Sequence, residues 1–264
     1  MKLATDNPSQ KRMITISGKP KAGKTVTACT ISDLAPAKLT PGVMTDLTDT
    51  VLIEFDMDGA ESARQMGLNP YLFDLSKFNS ANEVMKALSG ALKEIEDEAK
   101  NGKIKYVILD PISTFDEIIA TDKYREIPNS MAAAKLVKSV HMDLARHLRS
   151  ITPTIVCTFH VKYLGSMTQD AAGEQQEKRA KANAISESAQ FVSAMSGDNA
   201  AFFKKQASYN FVQYKTAKKG EPTKYTLLSE SIYGYEAGGR DGGKLEAEET
   251  PHLNQLLRKM GYVK

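Results

Sequence analysis

The chain has little cysteine, little net charge and no long apolar run. Its two cysteines, Cys29 and Cys157, stand far apart in apolar segments. They show no metal-ligand or redox spacing and read as buried free thiols of a reducing cytoplasm. The 35 basic and 32 acidic side chains almost balance, leaving a formal net charge of +3. A global basic field for nucleic acid is therefore missing, and any such site must be a local patch. No apolar stretch is long enough to cross a bilayer, nothing resembles a signal peptide, and no internal repeat is visible. These absences point to a cytoplasmic protein with no membrane partner. Its 264 residues suffice for one large α/β domain, or one domain with an appendage.

What is present is concentrated near the start. Gly18-Lys19-Pro20-Lys21-Ala22-Gly23-Lys24-Thr25 fits G-x-x-x-x-G-K-[ST], a phosphate-binding loop. Gly18 and Gly23 let the backbone turn tightly and bring N–H groups against phosphate oxygens. Lys24 adds a point charge at the β- and γ-phosphates, and the Thr25 hydroxyl suits Mg²⁺. The binding stretch is taken as Gly18 to Val26. Met13–Ser17 reads as a buried strand entering the loop, and Thr25–Leu34 as a helix leaving it.

Apolar strands are expected at Val51–Phe55, Leu72–Leu75, Tyr106–Asp110 and Thr154–His160. Helices are expected from Ala60 to Met66, from Ser80 to Lys100, and around Val137, Val140, Leu144 and Leu148. Alternating strands and helices, with strands apolar on both faces, imply a mostly parallel sheet flanked by helices. Residues 1–12 form a polar lead-in, and 13–264 one domain. Within it, Gly165–Gly197 reads as a long mobile loop, with a helix across Lys178–Met195. Tyr209–Lys215, Tyr225–Leu228 and Ile232–Tyr235 read as antiparallel C-terminal strands. A last helix is expected to start at Thr250-Pro251, with Thr250 as N-cap.

Phosphoryl chemistry needs a cradle, a metal, an aligned nucleophile and extra positive charge. Asp110, closing an apolar strand, is the second metal-ligand candidate beside Thr25. Pro111 follows it, where many ATPases carry a water-polarising Glu, so a base must come from elsewhere. Alternation places Glu54, Asp56 and Asp58 on one strand face, and Asp58 lies furthest out. His160 closes the last core strand, where it could sense the γ-phosphate. His141 and His147 read as structural, and Lys21 as solvated. Arg240 is the leading candidate for a positive finger, with Lys215, Lys218 and Lys219 as rivals.

These residues, in this order, resemble the RecA-type ATPases, and within them compact phage-encoded proteins related to RecA and RadA. The resemblance spans roughly Met13 to His160. It implies a RecA-like P-loop NTPase fold, ATP and Mg²⁺ as cofactors, and a homo-oligomer acting on single-stranded DNA in recombination or annealing. The family's catalytic carboxylate falls on Asp58, where relatives carry Glu. Its sensor falls on His160. The Arg of its Lys-x-Arg finger falls on Arg240, with Gly238 at the Lys position. Its DNA-contacting loops fall at about 120–130 and 165–197. If phage-encoded, the protein would work in the host cytoplasm. A nucleotide-switched loading factor and a small-molecule kinase are the other readings.

Overall fold

The computed structural model describes residues 12–36, 46–68, 70–74, 77–78, 80–151, 153–163, 191–195, 199–217, 220–231, 237–239 and 243–262. Side chains of 57, 58, 162, 163 and 191–193 are outside that description. The strands are β1 (Met13–Gly18), β2 (Thr50–Glu54), β3 (Tyr71–Leu72), β4 (Tyr106–Asp110), β5 (Thr154–Tyr163), β6 (Phe191–Ser193), β7 (Tyr209–Thr216), β8 (Lys224–Leu228), β9 (Gly238–Gly239) and β10 (Glu248–Glu249). The helices are α1 (Lys24–Cys29), α2 (Met57–Gln65), α3 (Ala81–Lys100), α4 (Ile112–Glu126), α5 (Ser130–Ser150), α6 (Asn199–Gln206) and α7 (Leu253–Lys259).

The strand order is β10-β8-β7-β1-β5-β4-β2-β3, with β6 paired to β5 and β9 to β7. Strands β7, β1, β5, β4, β2 and β3 run parallel, and β8 and β10 continue the sheet antiparallel. This is the α/β class expected from the sequence: a mostly parallel central sheet, flanking helices and C-terminal antiparallel strands.

The period of two along each strand divides the core in two. Met13, Val107, Leu109, Ile155 and Cys157 pack with Leu88 and Leu92 of α3, Phe115 of α4, Leu144 of α5 and Phe203 of α6. Ile14, Ile16, Leu52, Ile108 and Val156 pack with Ala28 of α1, Ala63 of α2 and Leu256 of α7. Leu88 and Leu92 are fully buried, and burial of each such side chain contributes roughly 2 kcal/mol. The termini of α3 follow its sequence. Ser80 accepts from the Glu83 N–H at 3.3 Å, and Gly102 takes a φ of 75° just past the C-cap, which suits glycine.

Several expected boundaries move. The helix after the loop ends at Cys29 rather than Leu34. Thr30 turns its hydroxyl onto the Thr27 carbonyl at 2.6 Å, and Ser32 accepts from the Leu34 N–H. Both hydroxyls offer the backbone an alternative to helix. The 120–130 stretch, expected as a loop, is helical on both sides of a short break. Helix α4 runs to Glu126 on a stripe of Ile112, Phe115 and Ile119, and α5 starts at Ser130 with Asn129 as N-cap. Residues 191–193 are strand, not helix. The rest of the expected 165–190 loop and helix, and Ile232–Tyr235, lie outside the described residues.

The third strand is two residues long, Tyr71–Leu72. The last helix starts at Leu253 behind His252, not at Pro251 behind Thr250. Its free N–H groups go elsewhere: Leu253 donates to the Thr30 hydroxyl and Asn254 to the Thr30 carbonyl. Strand β2 ends at Glu54, and Asp58 is the second residue of α2. The one-face argument for Glu54, Asp56 and Asp58 therefore fails. Among the described residues no helix is long and apolar enough to cross a membrane.

Candidate nucleotide site

Register brings the site together at the carboxyl edge of the parallel strands. Gly18 pairs with His160, and Glu54 pairs with Asp110. Ligands of open α/β sheets bind at this edge. A cleft of about 560 Å³ opens there, lined among others by Lys24, Thr25, Glu54, Asp56, Asp110 and His160.

The loop itself is held by backbone geometry. Lys21 adopts a φ of 60° and Gly23 of 89°. Gly23 is the N-cap of α1 and supplies no side-chain bond, so the first-turn amides get nothing from a capping side chain. Gly18 has no room for a side chain, since an added Cβ would lie 2.4 Å from the Gln213 carbonyl oxygen on β7. The Gln213 amide nitrogen and the Tyr225 ring pack against Gly23. The C-terminal strands thus form the bed of the loop, a role the sequence pattern did not reveal.

Lys24 is buried. Its ammonium donates to the Lys19 carbonyl at 3.1 Å and approaches His160 Nδ1 at 3.2 Å. Burial lowers the Lys24 pKa, against the pull of Asp110 and Asp56. Burial and then the Lys24 charge lower His160 below the usual histidine value. An ammonium can only donate, so Nδ1 accepts and the imidazole is neutral with its proton on Nε2. The His160 N–H donates to the Ser113 hydroxyl at 3.1 Å, which ties β5 to the first turn of α4. Strand β5 runs on to Tyr163, so His160 does not close the strand as expected.

Asp110 accepts from the Thr25 hydroxyl on one oxygen and from the Thr158 hydroxyl on the other. Beside it, Glu54 is 1% exposed and one of its oxygens, Oε2, has no hydrogen-bond partner. Burial, and then the neighbouring Asp110 charge, push the Glu54 carboxyl up to about 9. A hydroxyl, a carboxylate and a nearby lysine are the hard donors and the charge that an Mg²⁺–triphosphate requires. The residues fit such a group: Lys24 would face its phosphates, and Thr25 and Asp110 would hold the ion. The ion would supply charge neutralisation at the phosphate oxygens.

Of the residues expected from sequence, the fold brings Gly18–Val26, Asp110 and His160 to this edge. Asp58 lies on the first turn of α2, with its side chain outside the described residues. Arg240 lies outside them too, as do Lys218 and Lys219. Asp56 lines the cleft, and its charge acts on both Lys24 and His160. Sequence reasoning missed Ser113 and Thr158, single hydroxyls whose partners come from other elements. His147 is exposed. His141 is fully buried, 3.1 Å from Asp116, with Nδ1 2.8 Å from the Val137 carbonyl, as a structural histidine would be. Both cysteines are buried, and burial raises their thiol pKa values.

The fold is α/β, and the G-x-x-x-x-G-K-[ST] stretch meets Asp110 and His160 at the carboxyl edge of its parallel strands. No family model matches the chain, and no curated protein shows significant sequence similarity to it. Among solved structures it is similar to the KaiC-like protein PH0186 from the hyperthermophilic archaeon Pyrococcus horikoshii OT3. That match has a TM-score of 0.41 and 13% identity, over 82% of this chain and 77% of that one.

Proposed function

We propose that the chain is a Mg²⁺-dependent ATPase of RecA-like type that binds single-stranded DNA as a homo-oligomer, in recombination or annealing of the phage kind. The observation that carries the nucleotide part is the meeting of Lys24, Thr25, Asp110 and His160 at one sheet edge. In this reading Lys24 and the loop amides hold the phosphates, and Thr25 and Asp110 hold the ion. Asp56 or Asp58 orients the attacking water. His160, bonded to Lys24 and anchored on Ser113, responds to the γ-phosphate and passes its loss to the chain that follows β5. Arg240 is proposed as the finger, completing a neighbouring subunit's site. The choice of ATP and of DNA rests on the sequence resemblance.

The deciding experiment is ATP hydrolysis by wild type and Lys24→Ala, each with and without single-stranded DNA. Turnover that rises with DNA and vanishes in the mutant is the expected result. One feature favours a second reading, a nucleotide-switched loading factor. The residue after Asp110 is Pro111, the N-cap of α4, which has no side chain able to polarise water. Tight binding without turnover would select that reading, and absence of nucleotide binding in both proteins would defeat both.

A further inference from the structure

We propose that Glu54 and Gly59 form a steric lock that holds the acidic turn 56–59 at the edge of the nucleotide cleft. Glu54 is then a positioning residue, acting through Asp56. The inference rests on the hydrolysis reading above and adds residues that reading does not use.

Glu54 ends β2, and its side chain folds under the chain that follows it. Oε1 accepts from the Asp56 N–H at 3.3 Å. The Gly59 N–H in turn donates to the Asp56 carbonyl at 3.2 Å. A Cβ built on Gly59 would lie 2.6 Å from both carboxyl oxygens of Glu54, closer than real Cβ atoms approach any neighbour. The carboxyl group therefore lies flat against the glycine, and the first turn of α2 wraps round it. Gly59 does not have a positive φ, so only space demands glycine there. Its neighbours in the helix would otherwise favour alanine.

The consequence for the site is direct. A side chain at 59 must either displace the Glu54 carboxyl, which is 1% exposed and packed at the cleft wall, or lift the first turn of α2. Lifting that turn moves Asp56 away from Lys24 and His160, whose ionisation it influences. Removing the Glu54 side chain leaves the turn without its support and the Asp56 N–H without its acceptor.

The test is a double-mutant cycle on hydrolysis and nucleotide binding. Gly59→Ala and Glu54→Ala should each lower kcat up to about a hundredfold, as a misplacement near 1 Å does. KM and the Kd for a fluorescent ATP analogue should stay within about threefold, since binding and positioning separate in this way. The double variant should be no worse than either single one, because both remove the same contact. Glu54→Gln, which keeps the shape and the acceptor, should recover most of the kcat lost in Glu54→Ala. Additive losses in the double variant, or a Glu54→Gln as slow as Glu54→Ala, would overturn the lock. If wild type does not turn over ATP, the hydrolysis reading fails separately. Amide exchange of residues 56–59 in the nucleotide-free protein then decides: faster exchange in Glu54→Ala supports the lock, and unchanged exchange removes it.

Discussion

The ammonium of Lys24 lies 3.2 Å from Nδ1 of His160, joining the phosphate loop to strand β5, 136 residues further along the chain. A charged ammonium in this contact can only donate, so the ring nitrogen facing it accepts and the imidazole stays neutral. Protonating His160 would set two cations against each other in a largely buried place.

The first prediction concerns pH. His160 has its folded pKa lowered, by burial first and by Lys24 second. Between that lowered value and the ordinary 6.5, the unfolded chain binds a proton at this position and the folded chain does not. Stability from this group is therefore complete above 6.5 and falls as pH drops through that window. In Lys24→Ala the repulsion is gone, so the His160 titration should move up towards 6.5. Proton NMR of the histidine ring signals against pH measures this. An unchanged midpoint in the variant would show that Lys24 does not govern the ring.

Lys24→Ala should also weaken nucleotide binding. A charge-assisted hydrogen bond is worth about 1.5–3 kcal/mol, which corresponds to roughly 10- to 150-fold in Kd. Isothermal titration with ATP and Mg²⁺ gives the number. Folding should survive, since the side chain removed leaves behind only a backbone carbonyl and a neutral imidazole. Equal affinity in the two proteins would mean that the loop does not hold phosphate.

Gly18→Ala tests the bed of the loop. The new methyl group would meet the Gln213 carbonyl oxygen, 2.4 Å away, and that oxygen belongs to rigid strand backbone. Overpacking of this kind costs about 1–3 kcal/mol, so urea unfolding should show a lower midpoint with an unchanged slope. Nucleotide affinity should fall as well, because the loop would have to leave β7. A neutral effect on both would mean that the strand yields easily.

These sites also show what could be read from the chain beforehand. The strand–loop–helix module was legible because local chemistry defines it: glycines for the turn, and Lys24 and Thr25 at the positions proposed for phosphate and ion. Asp110 was legible because it is a polar residue closing an apolar strand, and His160 because it follows an apolar run, although β5 continues past it to Tyr163. The Glu54–Gly59 contact was not, since it depends on how the chain turns after β2 rather than on strand alternation. Ser113, Thr158 and Gln213 were hidden for a related reason. Each is an ordinary polar residue whose role comes from a partner 45 or more positions away. The helix at 112–126 carried its signal in Ile112, Phe115 and Ile119, and the expected loop at 120–130 obscured it.

The last prediction concerns the ion. Asp110 serves two hydroxyls at once, Thr25 in the cleft and Thr158 in the core. The two roles separate by substitution. Asp110→Asn keeps an oxygen for the buried Thr158 hydroxyl but loses the charge that would face the cation. Asp110→Ala leaves that hydroxyl without its acceptor, which costs about 1–3 kcal/mol of stability. Thermal unfolding without nucleotide should therefore separate the variants, with Asp110→Ala melting lowest and Asp110→Asn near wild type. ATP affinity measured against Mg²⁺ concentration should treat them alike: wild type tightens as the ion is added, and both variants respond weakly. If Asp110→Asn kept the full Mg²⁺ response, Asp110 would be an anchor for Thr25 and Thr158, and the ion would be held by other residues.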